Sequence, residues 1–167
     1  MDLYILRHAI AEQRGSPGFA RDSDRPLTAK GERKMQRIAE GMLALELAFD
    51  LILSSPFLRA KQTAEIVARV FDASNILELS DTLAVGGDPE ELIAELKKRH
   101  ASPGSILLVG HEPYLSSLVS MLISGDSELS ITMKKGGLCK LTSESLHYGQ
   151  CATLEWLLAP SQLTRIG

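Results

Sequence analysis

The chain has 167 residues, of which 44% are hydrophobic and 23% charged, and its formal net charge is −3. This length and composition predict one folded domain over residues 1–167 and argue against intrinsic disorder. Because there is no excess of basic residues, neither nucleic acid nor an anionic membrane surface is an expected partner. No apolar run approaches the roughly 18 residues that span a bilayer, and no signal sequence is recognisable, so we expect a cytoplasmic protein.

The first 50 residues predict a strand, a long loop and a helix. Residues 3–6 are apolar and predict a buried strand that ends at Arg7 and His8. Residues 12–27 are polar and contain glycine and proline, which predicts a long loop of the kind that often borders a functional site. Thr28 is expected to cap the following helix, whose apolar residues recur at helical spacing.

A second strand and helix follow, and then a third strand. Residues 51–53 are apolar and predict a buried strand. After it, Ser55 is expected to cap a helix in which Pro56 takes the first position. Residues 76–79 predict a third strand.

The second half of the chain continues the alternation. Asp88 begins a capping-box pattern that predicts a helix to about Arg99, and Pro113 is expected to start another helix. Three further runs read as strands: residues 105–109, 138–141 and 153–158. The two cysteines, Cys139 and Cys151, are expected to be free buried thiols, with a disulfide between neighbouring strands as the alternative.

Strands that alternate with helices predict a three-layer α/β/α sandwich around a mostly parallel central sheet. In such sheets, ligands bind beyond the carboxyl ends of the strands. Arg7 and His8 follow the first strand, Arg59 lies in a helix just after the second, and His111 follows the fourth. The topology is therefore expected to bring these four side chains together.

Arginine and histidine at one sheet edge indicate phosphoryl chemistry. Arginine binds phosphate oxygens bidentately and stays charged, while a neutral imidazole held in one tautomer is a nucleophile. Arg59 is expected in the first turn of its helix, where free backbone N–H groups also favour an anion. We expect His111 to donate to a phosphate oxygen as an imidazolium. The four histidines lack metal-ligand spacing, so no metal is expected: His8, His100, His111 and His147.

The order of motifs resembles the histidine phosphatase superfamily, whose fold is shared with cofactor-dependent phosphoglycerate mutases, and in particular its SixA-type branch. The motifs are LRHA at residues 6–9, RPLT at 25–28 with Gly31, SSPFLRAKQT at 54–63 and VGHEP at 109–113. The resemblance runs from Met1 to about Ser124. It implies that His8 becomes phosphorylated, that Arg7, Arg59 and His111 bind the phosphoryl group, and that no cofactor is needed. It also implies an α/β/α sandwich with one antiparallel strand.

Two features depart from the family pattern. Ala9 stands where a glycine is usual, which restricts the approach of the backbone to a phosphate. Residues 81–87 contain no glutamate to serve as general acid, so Asp81 and Asp88 are the candidates, against their ordinary roles as turn residue and N-cap. The same connection is short and leaves no room for a lid domain. In the long loop, Arg14, Arg21 and Arg25 are candidates for a positive rim. Lys134 and Lys135 could contact an acidic partner at that rim, but an ordinary solvated surface is the favoured interpretation for them.

The sequence therefore predicts a metal-independent phosphatase that works through a phosphohistidine intermediate on His8. The expected substrate is phosphohistidine on a signalling protein, such as a histidine-containing phosphotransfer domain, because imidazole leaves without strong acid catalysis and an open site suits a protein. The alternatives are a broad-specificity phosphomonoesterase acting on small phosphorylated substrates and a phosphoprotein-binding module without turnover. Retention of the nucleophile disfavours the binding module, and the missing acid and lid disfavour a mutase.

Overall fold

A computed structural model describes residues 1–99 and 104–167, which form six β-strands and five α-helices. The strands are β1 (Asp2–Arg7), β2 (Leu51–Ser54), β3 (Leu77–Leu79), β4 (Ser105–Gly110), β5 (Leu138–Thr142) and β6 (Thr153–Leu158). The helices are α1 (Ala29–Ala44), α2 (Leu58–Val70), α3 (Pro89–Arg99), α4 (Tyr114–Ser124) and α5 (Pro160–Ile166). None of the helices in these residues is both long and apolar enough to cross a membrane. His100 lies outside the described residues.

The six strands form one sheet in the order β3-β2-β4-β1-β5-β6. Strands β3, β2, β4 and β1 are mutually parallel, whereas β5 pairs antiparallel with both β1 and β6. Among the described strands, β5 is therefore the one that runs against the others. The predicted mostly parallel sheet with one antiparallel strand is confirmed.

Apolar side chains alternate across the sheet and form a core on each face. One core, under α1, α2 and α5, contains the strand residues Tyr4, Leu6, Ile52, Leu107, Val109 and Leu138. The other, under α3 and α4, contains Leu3, Ile5, Leu51, Leu53, Ile106, Leu108, Cys139 and Leu141. Helices thus cover both faces, as the predicted three-layer sandwich requires. Residues 80–88 join β3 directly to α3, and no lid is evident.

The pairing register of β1, β2 and β4 determines where their carboxyl ends lie relative to each other. Arg7 is opposite Gly110 in the β1–β4 pair, and Ser54 is opposite Val109 in the β2–β4 pair. The three strands therefore end within one residue of each other. Side chains that follow these ends meet above the same edge of the sheet.

Two of the predicted helix caps are confirmed. The Thr28 side chain accepts a hydrogen bond from the Gly31 N–H at 2.9 Å at the start of α1. Asp88 Oδ1 accepts from the Glu90 N–H at 2.8 Å at the start of α3. Each side chain satisfies a backbone donor that the first turn of a helix leaves unpaired.

The predicted start of the second helix is wrong by two residues. Helix α2 begins at Leu58, and Phe57 holds the cap position without a side-chain hydrogen bond. Ser55 is still tied to the sheet, because its N–H donates to the Val109 carbonyl at 2.9 Å. Its hydroxyl contacts His111 Nε2 at 2.8 Å and accepts from the Phe57 N–H at 3.3 Å, so Pro56 precedes the helix.

Helix α5 is absent from the sequence predictions. Its seven residues contain too few apolar positions to show a helical period. Leu163 is nevertheless fully buried against α1. Strand β3 is also shorter than expected, since residue Ile76 belongs to a 3₁₀ turn.

Both cysteines are free thiols. Cys139 is buried in β5, whereas Cys151 is only partly buried. Burial raises the pKa of the Cys139 thiol to about 12, so that thiol is protonated and unreactive at neutral pH.

We predict that Gly41→Ala destabilises the protein, although alanine is normally favoured over glycine within a helix. A methyl group at Gly41 would collide with the Leu163 carbonyl of α5. The expected loss is about 1–3 kcal/mol in the free energy of unfolding, measured by urea denaturation. The exposed substitution Arg33→Ala on the same helix is the control and should change stability by less than about 0.5 kcal/mol. Equal or higher stability of Gly41→Ala would show that α5 does not pack closely on α1.

Candidate active site

His8, Arg59 and His111 meet at the carboxyl edge of the parallel strands. The Arg59 Nε–H donates to His8 Nε2 at 3.3 Å. The imidazole rings of His8 and His111 lie 5.2 Å apart between centroids. All three residues are nearly inaccessible, with 5%, 2% and 2% of their surface exposed, respectively. The structure therefore brings together three of the four residues expected to handle a phosphoryl group.

The hydrogen bonds of His8 define which of its nitrogens is free to react. His8 Nδ1 lies 2.7 Å from the Ala9 carbonyl oxygen. A carbonyl can only accept, so Nδ1 carries the proton and Nε2 carries the lone pair. Burial lowers the pKa of His8 to about 3, with further lowering by the charges of His111, Arg59 and Arg7. At neutral pH, Nε2 is therefore an unprotonated nucleophile.

Hydrogen bonds of the backbone at His8 and Ala9 fix the position of His8 relative to β4 and α2. The His8 N–H donates to the Gly110 carbonyl at 3.0 Å, which extends the β1–β4 pairing by one residue. The Ala9 N–H donates to Thr63 Oγ1 at 3.1 Å, and the Thr63 hydroxyl donates to the Arg59 carbonyl at 2.7 Å. The unusual Ala9 is buried in the core, so its methyl group is accommodated by packing.

His111 is fixed by two neighbours that follow β2. Its Nε2 contacts Ser55 Oγ at 2.8 Å, and its ring lies 5.2 Å from the ring of Phe57. Burial, and then the charge of Arg59, lowers the pKa of His111 to about 3. Without a bound anion, desolvation disfavours the charged ring, so donation from an imidazolium to a phosphate oxygen stays a prediction.

Arg7 lies near enough for its charge to act on His8 and His111, but within the described residues it forms no hydrogen bond with the side chains of the other three. Its Nη1 donates to the Met133 carbonyl at 2.7 Å, and backbone hydrogen bonds to Gly136 and Gly137 hold its main chain. After burial, the charge of Arg7 is among the causes that lower the pKa of both His8 and His111. Arg7 therefore contributes positive charge to the site.

Two candidate site residues, Arg7 and His111, contain buried polar atoms that have no hydrogen-bond partner in the described part of the chain. Among the described residues, such atoms are Arg7 Nε, His111 Nδ1 and Tyr114 OH. Buried donors normally have a hydrogen-bond partner. Arg7 Nε is a donor, and so is His111 Nδ1 when the Ser55 hydroxyl donates to Nε2. Such donors are suited to the oxygens of a phosphoryl group.

Asp22 is the site residue that sequence reasoning missed. It lies in a 3₁₀ turn of the long loop, and its Oδ2 forms an ion pair with Arg59 Nη2 at 3.0 Å. Its carbonyl oxygen accepts from Arg59 Nη1 at 2.8 Å. The sequence contained a signal for this role. The long loop carries three arginines, Arg14, Arg21 and Arg25, and a carboxylate in the same loop is the expected partner for such closely spaced positive charges.

The three loop arginines differ in exposure. Arg14 is 74% exposed and pairs with Asp22, and Arg21 is 77% exposed and pairs with Asp24. Arg25 is only 13% exposed and also pairs with Asp22, which places it inside the loop rather than at the rim. Lys134 and Lys135 are exposed and flank the segment that holds Arg7.

In the described part of the chain, the two candidate acids form no hydrogen bond or ion pair with the candidate site residues. Asp88 caps α3, and Asp81 is exposed in the turn after β3. Within residues 1–99 and 104–167, neither carboxylate forms a hydrogen bond or ion pair with His8, Arg59 or His111. The same residues contain no cluster of three or more His, Cys, Asp or Glu that could hold a metal ion. Independence from metal remains a prediction.

The sequence profile described as "Histidine phosphatase superfamily (branch 1)" matches residues 3–83, which include His8 and Arg59. The chain belongs to this superfamily. An uncharacterized protein of Picosynechococcus sp. strain PCC 7002 is 38% identical over 144 residues, 86% of each chain. Phosphohistidine phosphatase SixA of Escherichia coli K12 is 28% identical over 98% of this chain and 96% of its own.

A solved structure extends this similarity to the fold. The protein histidine phosphatase SixA complexed with tungstate superposes with a TM-score of 0.81 and 28% identity, over 98% of this chain and 99% of that one. This histidine phosphatase superfamily member therefore shares the phosphoglycerate mutase-like α/β/α fold along its whole length. Family and fold together support phosphatase activity.

We predict that neither His8 nor His111 takes up a proton between about pH 8 and pH 5, because burial lowers both pKa values to about 3. Their imidazole carbon shifts in NMR spectra should stay constant over this range. The unfolded chain binds these protons at higher pH, so stability should fall as pH decreases through the same range. A midpoint near pH 6 for either ring would contradict the neutral site.

Proposed function

We propose that this phosphatase hydrolyses phosphohistidine on another protein through a covalent intermediate on His8. The supporting observation is the orientation of the His8 ring. Its protonated Nδ1 is held by the Ala9 carbonyl, while its free Nε2 faces Arg59. A nucleophile in a single tautomer beside a fixed cation is the arrangement that phosphoryl transfer requires.

In the first step, His8 Nε2 attacks phosphorus and the bond from phosphorus to the leaving group breaks. The Arg59 Nε–H, which donates to Nε2 in the structure, is placed to donate to a phosphoryl oxygen once the phosphorus–nitrogen bond forms. Arg7 and Arg59 offset the charge of the phosphoryl oxygens. His111 becomes a donor through Nδ1, and a bound dianion would raise its pKa.

In the second step, water attacks the phosphorus of phosphorylated His8. The bond from phosphorus to Nε2 breaks, inorganic phosphate leaves, and the ring returns to its neutral form. One proton of the water ends on phosphate or solvent, so His8 needs no net proton exchange. The hydrogen bond from Nδ1 to Ala9 persists through both steps and keeps the ring oriented.

The electrostatics of the site favour a phosphohistidine over an alkyl phosphate ester. An alkoxide must be protonated as it leaves, whereas imidazole can depart as a neutral ring when its second nitrogen carries a proton. Asp22 is the carboxylate in contact with Arg59, and it is a poor acid. Partial burial opposes its ionisation, but the charges of Arg59, Arg25 and Arg14 hold its pKa below the ordinary value.

The charge around the site supports a protein substrate. The connection after β3 is short, and exposed cations lie on the segments that contact the site residues, among them Arg14, Arg21, Lys134 and Lys135. Surface ion pairs such as Arg14–Asp22 are weak and can exchange partners when a protein docks. An acidic cytoplasmic signalling protein that carries phosphohistidine, such as a phosphotransfer domain, fits this rim. SixA, a relative over the whole chain, is named a phosphohistidine phosphatase.

We predict that His8→Ala lowers kcat/KM by more than about 10³-fold, since the nucleophile is lost. Arg59→Ala should cost about 10²–10³-fold, as removal of one preorganised donor does. His147→Ala, at an exposed site, is the control and should be unaffected. When a reaction with ³²P-labelled substrate is quenched, the protein should carry an acid-labile label at His8. Label on wild-type protein at another residue, or activity retained in His8→Ala, would exclude the covalent step.

We also predict an order of kcat/KM for three substrates: a phosphorylated phosphotransfer domain, then phosphoramidate, then glucose 6-phosphate. Phosphoramidate and the ester differ in leaving group, so their ratio measures the need for an acid. The domain and phosphoramidate share a P–N bond, so their ratio measures docking. Raising the salt concentration should slow turnover of the domain alone. Preference for the ester would instead favour a general phosphomonoesterase.

A further inference from the structure

Asp22 is bound by three arginines at once. Its carboxylate lies 3.0 Å from Arg59 Nη2, 3.0 Å from Arg25 Nη2 and 3.0 Å from Arg14 Nε. Its side chain is 30% exposed, whereas that of Arg59 is only 3% exposed. The loop therefore places the negative charge of Asp22 against the buried guanidinium of Arg59, which also contacts the nucleophile His8.

We propose that Asp22 is a positioning residue with two effects: it orients Arg59 toward His8, and its charge weakens the hold of the site on the phosphate product. The proposal rests on the proposed hydrolysis through His8, which it deepens. Asp22 itself does not touch the reacting atoms.

The orienting effect follows from the way the guanidinium is held. Nη1 and Nη2 both bind Asp22, one through its carbonyl and one through its carboxylate. These two hydrogen bonds fix the plane of the group, and Nε is left to face His8 Nε2. The aromatic ring of Phe57 lies 5.3 Å from the guanidinium carbon and further limits its movement. Without the Asp22 carboxylate, Arg59 keeps its charge and the hydrogen bond from Nη1 to the main-chain carbonyl, but it loses the Nη2 hydrogen bond that completes its orientation.

The charge effect follows from the electrostatic balance of the site. Arg7, Arg25 and Arg59 all lower the pKa of His111 after burial, and Asp22 opposes them. Its field therefore reaches the position where phosphate oxygens would bind. One negative charge at a distance of several ångströms repels a dianion by an amount equivalent to about a tenfold change in affinity. A phosphatase benefits, because a product held too tightly would delay the next turnover.

Two substitutions separate these effects. Asp22→Asn removes the charge and retains an acceptor oxygen for Arg59. Asp22→Ala removes both the charge and the side-chain acceptor. Asp24→Asn is the matched control, since Asp24 lies two residues away in the same turn and pairs with exposed Arg21 rather than Arg59. Circular dichroism on each variant establishes that the fold is kept, and either Asp22 variant alone is sufficient to test the charge.

The measurements are the Kd of inorganic phosphate by titration calorimetry and kcat with phosphoramidate. For Asp22→Asn we expect phosphate to bind about tenfold more tightly and kcat to change by less than about fivefold. For Asp22→Ala we expect the same tightening and a fall in kcat of about a hundredfold, since Arg59 is misdirected. Asp24→Asn should match the wild type in both quantities.

Each opposite result has a definite meaning. Phosphate binding that is unchanged or weaker in the Asp22 variants would overturn the charge effect. Wild-type kcat in Asp22→Ala would overturn the orienting effect. If the wild type hydrolyses neither phosphoramidate nor a phosphohistidine protein, the proposed function fails, and the calorimetric comparison still decides whether Asp22 opposes phosphate binding.

Discussion

The site depends on one constraint, the parallel register between β1 and β4. This register sets Arg7 opposite Gly110, and the next hydrogen bond, from the His8 N–H to the Gly110 carbonyl, places His8 beside His111. A shift of one residue would turn every side chain of β1 to the other face. Arg59 joins them because Thr63 ties the Ala9 backbone to the first turns of α2.

Burial then gives these residues their chemistry. Desolvation lowers the pKa of both imidazoles to about 3, which makes His8 a free base at neutral pH. Desolvation also lowers the pKa of Arg59, but a guanidinium has so high an ordinary pKa that it stays charged. The site therefore combines neutral histidines with cationic arginines. Asp22 moderates this charge and keeps Arg59 in place.

Most of the fold could be predicted from the sequence, because apolar runs indicate the buried strands and helical periodicity indicates the long helices. The sequence pattern did not predict α5, which has only two buried residues, Pro160 and Leu163, and whose Leu163 carbonyl lies against Gly41 on a distant helix. It also placed the start of α2 at Pro56, since no local rule shows that Ser55 is held by the sheet and by His111. These errors arise where contacts distant in sequence override local preference.

The family, the three-layer fold and the candidate site residues Arg7, His8, Arg59 and His111 could be predicted from the sequence, because motifs and strand ends are local features. The protonation and orientation of these groups required the folded structure. The tautomer of His8 depends on the orientation of the Ala9 carbonyl, and the neutrality of the two rings depends on their burial. The role of Asp22 depends on a loop folding onto a helix 37 residues away. Each of these properties depends on the distance between groups or on the low dielectric of the protein interior, and both are set only when the chain has folded.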